Sequence, residues 1–221
     1  MTRLRAVALA LVVALVPALA GAPSAGAATS RPVAPPPAVE TFAAVPAWGT
    51  YGNTVIADCS VAAVGDIIQT WEGSGPVGWP QLIHLYRWAV GGIAHESDGA
   101  TPGRVLAYWK RHRVDGYQLA SWAEIPNYRA RLAIERAVAL DGAVYAVVTV
   151  PALDAENFSV GVMTPWTLAG VPKGSPPYGP HAAALVGYDA TGPYLVTWGT
   201  VVHVTWAWWE TWATAAYTVT P

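Results

Sequence analysis

A lone cysteine sets the first limit on this chain. Cys59 is the single thiol among 221 residues, so no intramolecular disulfide can hold the fold and a Cys-ligated zinc module is excluded. Stability has to come from a packed apolar core, and the composition supplies one: 53% of residues are hydrophobic, 12% are charged, and 12 are Trp against 2 Phe. The same figures exclude an intrinsically disordered chain. A formal charge of -2 speaks against a nucleic-acid binder, which needs a basic surface.

The N-terminus reads as a secretory signal peptide over residues 1–27. Arg3 and Arg5 form a basic start, Ala6 to Ala20 is apolar apart from Pro17, and small-x-small cleavage sites lie at Ala18-Leu19-Ala20 and Ala25-Gly26-Ala27. The apolar run is short for a membrane span. Cleavage after Ala27 leaves Ala28–Pro221 as a secreted, extracellular protein of single-domain size, with no membrane association, acting as a monomer. Residues 28–47, with Pro32, Pro35, Pro36, Pro37 and Pro46, read as an extended linker, and residues 48–221 as the domain. That linker is too short to fold over a cleft as a propeptide. Arg outnumbers Lys and Ala is abundant, which fits a GC-rich bacterial genome.

Within the domain, helical patterns come first. Val61, Val64, Ile68 and Trp71 recur at helical spacing behind Asp58 as N-cap, and Gly73 closes the segment. Further helices are predicted over Pro80–Val90, Pro102–Arg113 and Tyr128–Leu140. The pattern then turns to strands: Ala143–Val150, His181–Tyr188, Tyr194–Thr197 and Ala216–Thr220, with a Thr205-capped helix through Trp212 before the last. Helices followed by antiparallel strands make an α+β order, distinct from βαβ alternation.

Two residues stand out chemically. Cys59 opens the first helix, where the dipole and unpaired N–H groups favour thiolate; the alternative is a buried structural cysteine. His181 begins an apolar strand, where a satisfied core histidine is the plain alternative.

Their flanks make a stronger case together. Asn53-Thr-Val-Ile-Ala-Asp58-Cys59-Ser-Val-Ala62-Ala63 resembles the nucleophile motif of papain-like cysteine peptidases, closest to the bacterial family C39 branch. There a Gln stands six residues before a Cys that often follows Asp. His181-Ala-Ala-Ala-Leu-Val-Gly187-Tyr188-Asp189 resembles the base strand of the same clan, and the gap of 122 residues suits it. The resemblance implies a papain-like fold, with the nucleophile helix packed on a C-terminal antiparallel sheet, and a Cys59–His181 thiolate–imidazolium pair. It implies attack on a peptide or amide carbonyl through a thioester, with no cofactor and no metal. The Cys59 N–H and the side chain of Asn53, which replaces the usual Gln, would hold the oxyanion. The third member, normally Asn or Asp sixteen residues after the His, is Thr197 here. A hairpin one residue shorter would put Val196 there instead, and Asp189 is a substitute to consider. The expected partner is a peptide or protein substrate.

A second reading keeps the fold and drops the chemistry, as an inert papain-like domain binding peptide or cell-surface glycan through a Trp-rich cleft. Trp48 and Trp79 are the candidates for lining it, while Trp198, Trp206, Trp208, Trp209 and Trp212 crowd the C-terminus, where an exposed Trp could stack on sugars or fix peptides. Trp208, Trp209 and Trp212 recur at the spacing of a buried helical face, which favours core. Three signals are set aside: Gly73–Gly78 matches G-x-G-x-x-G but follows a helix and contains Pro, His95-Glu96 lacks a second His at helical spacing, and Lys110–Arg113 reads as a solvated helix end.

Overall fold

Alternate residues of two long strands face opposite ways, and this divides the core in two. The computed structural model describes residues 34–221; the expected signal peptide lies outside them. Strand β3 (Val144–Pro151) pairs antiparallel with β4 (Pro177–Tyr188) from Val144↔Leu185 to Pro151↔Pro177. Tyr145, Ala182, Ala184 and Val186 face one apolar cluster, whereas Val144, Ala146, Val148, Ala183 and Leu185 face the other. Helices α1 (Cys59–Glu72), α2 (Trp79–Val90) and α3 (Pro102–Trp109) supply the first cluster; α4 (Arg131–Asp141) and α6 (Trp206–Trp212) supply the second.

The full sheet runs β2 (Ser121–Glu124), β7 (Ala213–Thr220), β3, β4, β5 (Pro193–Thr197), β6 (Thr200–His203), and every pairing is antiparallel. Helices, then strands, with helices on both faces of the sheet, bear out the α+β expectation.

Helix α1 is buried at every position from Ser60 to Thr70, more than its apolar stripe requires, because α2, α3 and the sheet enclose it. Gly73 ends it in the left-handed conformation, its N–H bonded to the Gln69 carbonyl. Asp58 holds the N-cap position, but its side chain makes no capping hydrogen bond, contrary to the sequence expectation. Two helices are shorter than predicted. Helix α3 stops at Trp109 as the chain turns through Asp115 and Gly116, both at positive φ. Helix α4 begins after Tyr128, whose carbonyl accepts the Trp209 indole N–H at 2.8 Å.

The linker reading of residues 28–47 needs correction where the chain is described. Val39–Glu40 forms β1, paired with Tyr188 and Gly187 of β4, and the Tyr188 hydroxyl donates to the Pro37 carbonyl at 2.7 Å. Gly187 permits this close approach, since a side chain there would collide with the Val39 carbonyl. Prolines prevent a longer ladder, so two residues pair and the domain begins ahead of Trp48.

Gln69, missed in the sequence, ties the next segment to α1. Its fully buried amide accepts from the Gly49 N–H at 3.1 Å and the Tyr51 hydroxyl at 2.5 Å, and donates to the Ala47 carbonyl at 2.7 Å. Gln69→Ala leaves those groups unpaired and should destabilise the fold by about 1–3 kcal/mol. A urea midpoint unchanged from the parent would contradict this anchoring role.

Candidate active site

Cys59 is the first residue of α1, held there by the helix packing just described. Tyr145 of β3 fixes that turn, its hydroxyl donating to the Ser60 carbonyl at 2.9 Å. His181 sits in β4 and is nearly fully buried. Both line one pocket of about 280 Å³, together with the 98–102 loop, Val147, Pro180 and Ala182.

Thr197 is brought to His181 by strand register. Strands β4 and β5 pair at Ala184↔Val196, so Thr197 falls opposite Ala183. His181 lies two residues further along the same face, as a diagonal neighbour. His181 Nε2 and Thr197 Oγ are hydrogen bonded, and Thr197 is buried. The shorter-hairpin alternative is excluded, since Val196 points into the α1 cluster. Asp189 is excluded as well: its carboxylate accepts from the Thr191 and Gly192 N–H groups at the hairpin turn and from the Tyr194 hydroxyl.

Asn53 is placed differently. It lies in the turn ahead of α1 and lines a neighbouring pocket with Phe158, Tyr178 and Trp198, while Cys59 and His181 line the other. A main-chain turn precedes it, with Tyr51 and Gly52 both at positive φ. The largest cavity, about 820 Å³, is lined by Trp48 and Trp79 among others but includes neither Cys59 nor His181.

Trp198 stacks on His181, ring centroids 4.5 Å apart and planes 31° from parallel. It occupies the two-residue turn between β5 and β6 with φ 47°, followed by Gly199 at φ 74°. Such turns favour Asn or Gly, so a Trp held there carries strain. Packed against the imidazole, its ring contributes to the near-complete burial of His181. By contrast, Trp208 and Trp209 are fully buried as expected, whereas Trp212, expected on the same buried face, is only partly buried at the edge of that cluster.

Burial decides the protonation of the pair. It pushes the Cys59 thiol up; the N–H groups of Ala182, Ser60 and Cys59 itself pull the other way, and Asp58 adds to the rise. Burial pushes His181 down to about 4. Burial therefore outweighs the preference of the helix start for thiolate and disfavours charge on both the thiol and the imidazole. Among the described residues, no group of three or more His, Cys, Asp or Glu could hold a metal.

Known structures share this arrangement of helices on a sheet. Xylellain, a cysteine protease from Xylella fastidiosa, superposes with a TM-score of 0.61 at 14% identity over 85% of this chain and 87% of that one. The fold is that of the papain-like cysteine proteases. The bromelain protease from Ananas comosus matches with a TM-score of 0.56 at 14% identity, over 84% of this chain and 99% of its own. Digestive procathepsin L 3 of the Tenebrio molitor larval midgut matches at 0.57 and 14% identity, over 87% and 72%. No protein-family model matches the chain, and no curated protein is similar to it in sequence.

Proposed function

We propose that the chain is a secreted cysteine peptidase of the papain-like clan, of the C39 branch, acting alone on a peptide or protein substrate. One observation carries it: Cys59 at a helix start and His181 on a strand share a pocket, while Thr197 binds Nε2 of the imidazole. With Nε2–H given to the Thr197 hydroxyl, Nδ1 is the nitrogen free to serve the thiol.

The chemistry then follows from neutral partners. His181 takes the Cys59 proton as the sulfur attacks the scissile carbonyl. The carbonyl oxygen gathers charge at the start of α1, where first-turn N–H groups lack helical partners. His181 next passes that proton to the departing amine, leaving a thioester. Water, deprotonated by the same imidazole, releases the acid and restores the thiol. Thr197 orients the ring but carries no charge, so it stabilises the transient imidazolium less than a carboxylate would. Asn53, in the turn ahead of α1, is the side chain that would join those N–H groups at the oxyanion.

The test is hydrolysis of a peptide library by residues 28–221, beside the Cys59→Ala variant. Cleavage by the parent alone is expected. A library left intact by both, yet retained on the protein, would replace this reading with that of an inert binding domain.

A further inference from the structure

The residue beside the nucleophile is an acid that does not do what its position suggests. Asp58 is the N-cap of α1, yet its carboxyl makes no capping hydrogen bond to the first turn. It is fully buried, and neither oxygen has a hydrogen-bond partner among the described residues. The groups around it offer no compensating charge. Its Oδ2 lies under Gly52, 3.1 Å from where a Cβ would stand, and the Trp79 ring covers the same glycine. The titratable groups facing it are Cys59 of α1, Tyr86 of α2 and Glu96 of the loop after α2. Arg87 is engaged by Glu96 at 2.6 Å, and the Tyr86 hydroxyl donates to the Glu96 carbonyl at 2.7 Å.

A buried carboxylate without a cation is costly, and so is a thiolate on the next residue. The two cannot both be charged at low cost. We infer that Asp58 is a positioning residue that acts through Cys59: the two side chains release their protons as a linked pair, and the thiolate forms readily only while Asp58 keeps its own. The shifts agree with this geometry. Burial raises Asp58 to about 8, and Glu96 adds to the rise. Asp58 is in turn one of the groups that raise Cys59. The inference concerns the ionisation of Cys59 and rests on the peptidase reading only for its consequence in turnover, which is a loss of rate above the pH where Asp58 ionises.

Alkylation of Cys59 by iodoacetamide against pH provides the test, because the thiol has no competitor in the sequence. In the parent the profile should be spread over two steps. In Asp58→Asn, which keeps shape and removes the charge, it should collapse to one step with its midpoint about one pH unit lower, and alkylation near pH 8 should be roughly tenfold faster. Parent and variant profiles that coincide would overturn the linkage. Should Asp58→Asn fail to fold, the reciprocal measurement decides: the carboxyl-carbon NMR titration of Asp58 should move to lower pH in Cys59→Ser. An unmoved midpoint, or one in the ordinary carboxylate range, would overturn the proposal. His181→Ala in the same alkylation series separates this question from the peptidase reading. Insensitivity to that change would remove the nucleophile assignment while leaving the Asp58 comparison intact.

Discussion

His181→Ala is expected to cut peptide turnover by about 10²–10⁴-fold, the range a positioned acid–base group supplies. The structure also assigns the pH dependence of the parent. Burial holds the imidazole unprotonated down to about pH 4. The base is therefore available above that value, and the acid limb of kcat/KM should fall near pH 4, well below the ordinary histidine range. In the variant that limb should vanish. The same lowered value makes stability rise with pH between about 4 and 6.5, since the unfolded chain binds the extra proton across that window. A parent enzyme whose acid limb sits at ordinary histidine values would contradict the buried, Thr197-bonded imidazole. Thr197→Val should show a smaller loss of kcat than His181→Ala, because it frees the ring without removing the base.

The second large effect is structural. Trp208→Ala should destabilise the protein by about 3–5 kcal/mol. Trp208 is fully buried, packs 5.2 Å from the ring of Trp166, and donates its indole N–H to Asp154 at 2.9 Å. Removing it opens a cavity beneath α6 and also strands a largely buried carboxylate. Trp208→Phe would keep most of the volume and lose the hydrogen bond, so its cost should lie well below that of alanine. Denaturant melts followed by circular dichroism read both. An alanine variant within 1 kcal/mol of the parent would mean that α6 is not the second core the fold requires.

Much of this arrangement was legible from local signals. Gly73 and Gly142 both end helices in the left-handed conformation, as their positions after apolar runs suggest. Thr205 caps α6 through the Trp208 N–H. The interval from His181 to Thr197 is a main-chain quantity: the resemblance offers Thr197 with Val196 as the alternative, and the register of Ala184 with Val196 decides between them. What escaped depends on contacts remote in sequence. Strand β2 is four residues long with a mostly exposed face, and β1 hides in a Pro-rich stretch where composition argues against any pairing. Helix α5 (Ala152–Ser159) follows Pro151 directly and lacks a clear apolar stripe. The protonation of Cys59 was also out of reach. A helix start is visible in the sequence, whereas the burial that outweighs it is a property of the assembled domain. Asn53 illustrates the same limit, since its turn decides which pocket it lines.

The turn that carries Trp198 has a consequence for how this protein can change. Its geometry suits Asn or Gly, so the easiest stabilising substitution in this hairpin is also the one that strips the cover from His181. Selection for a sturdier fold and selection for a dry imidazole pull in opposite directions at a single codon. Directed evolution toward heat resistance would therefore reach this position early, and the survivors would be better folded and worse catalysts.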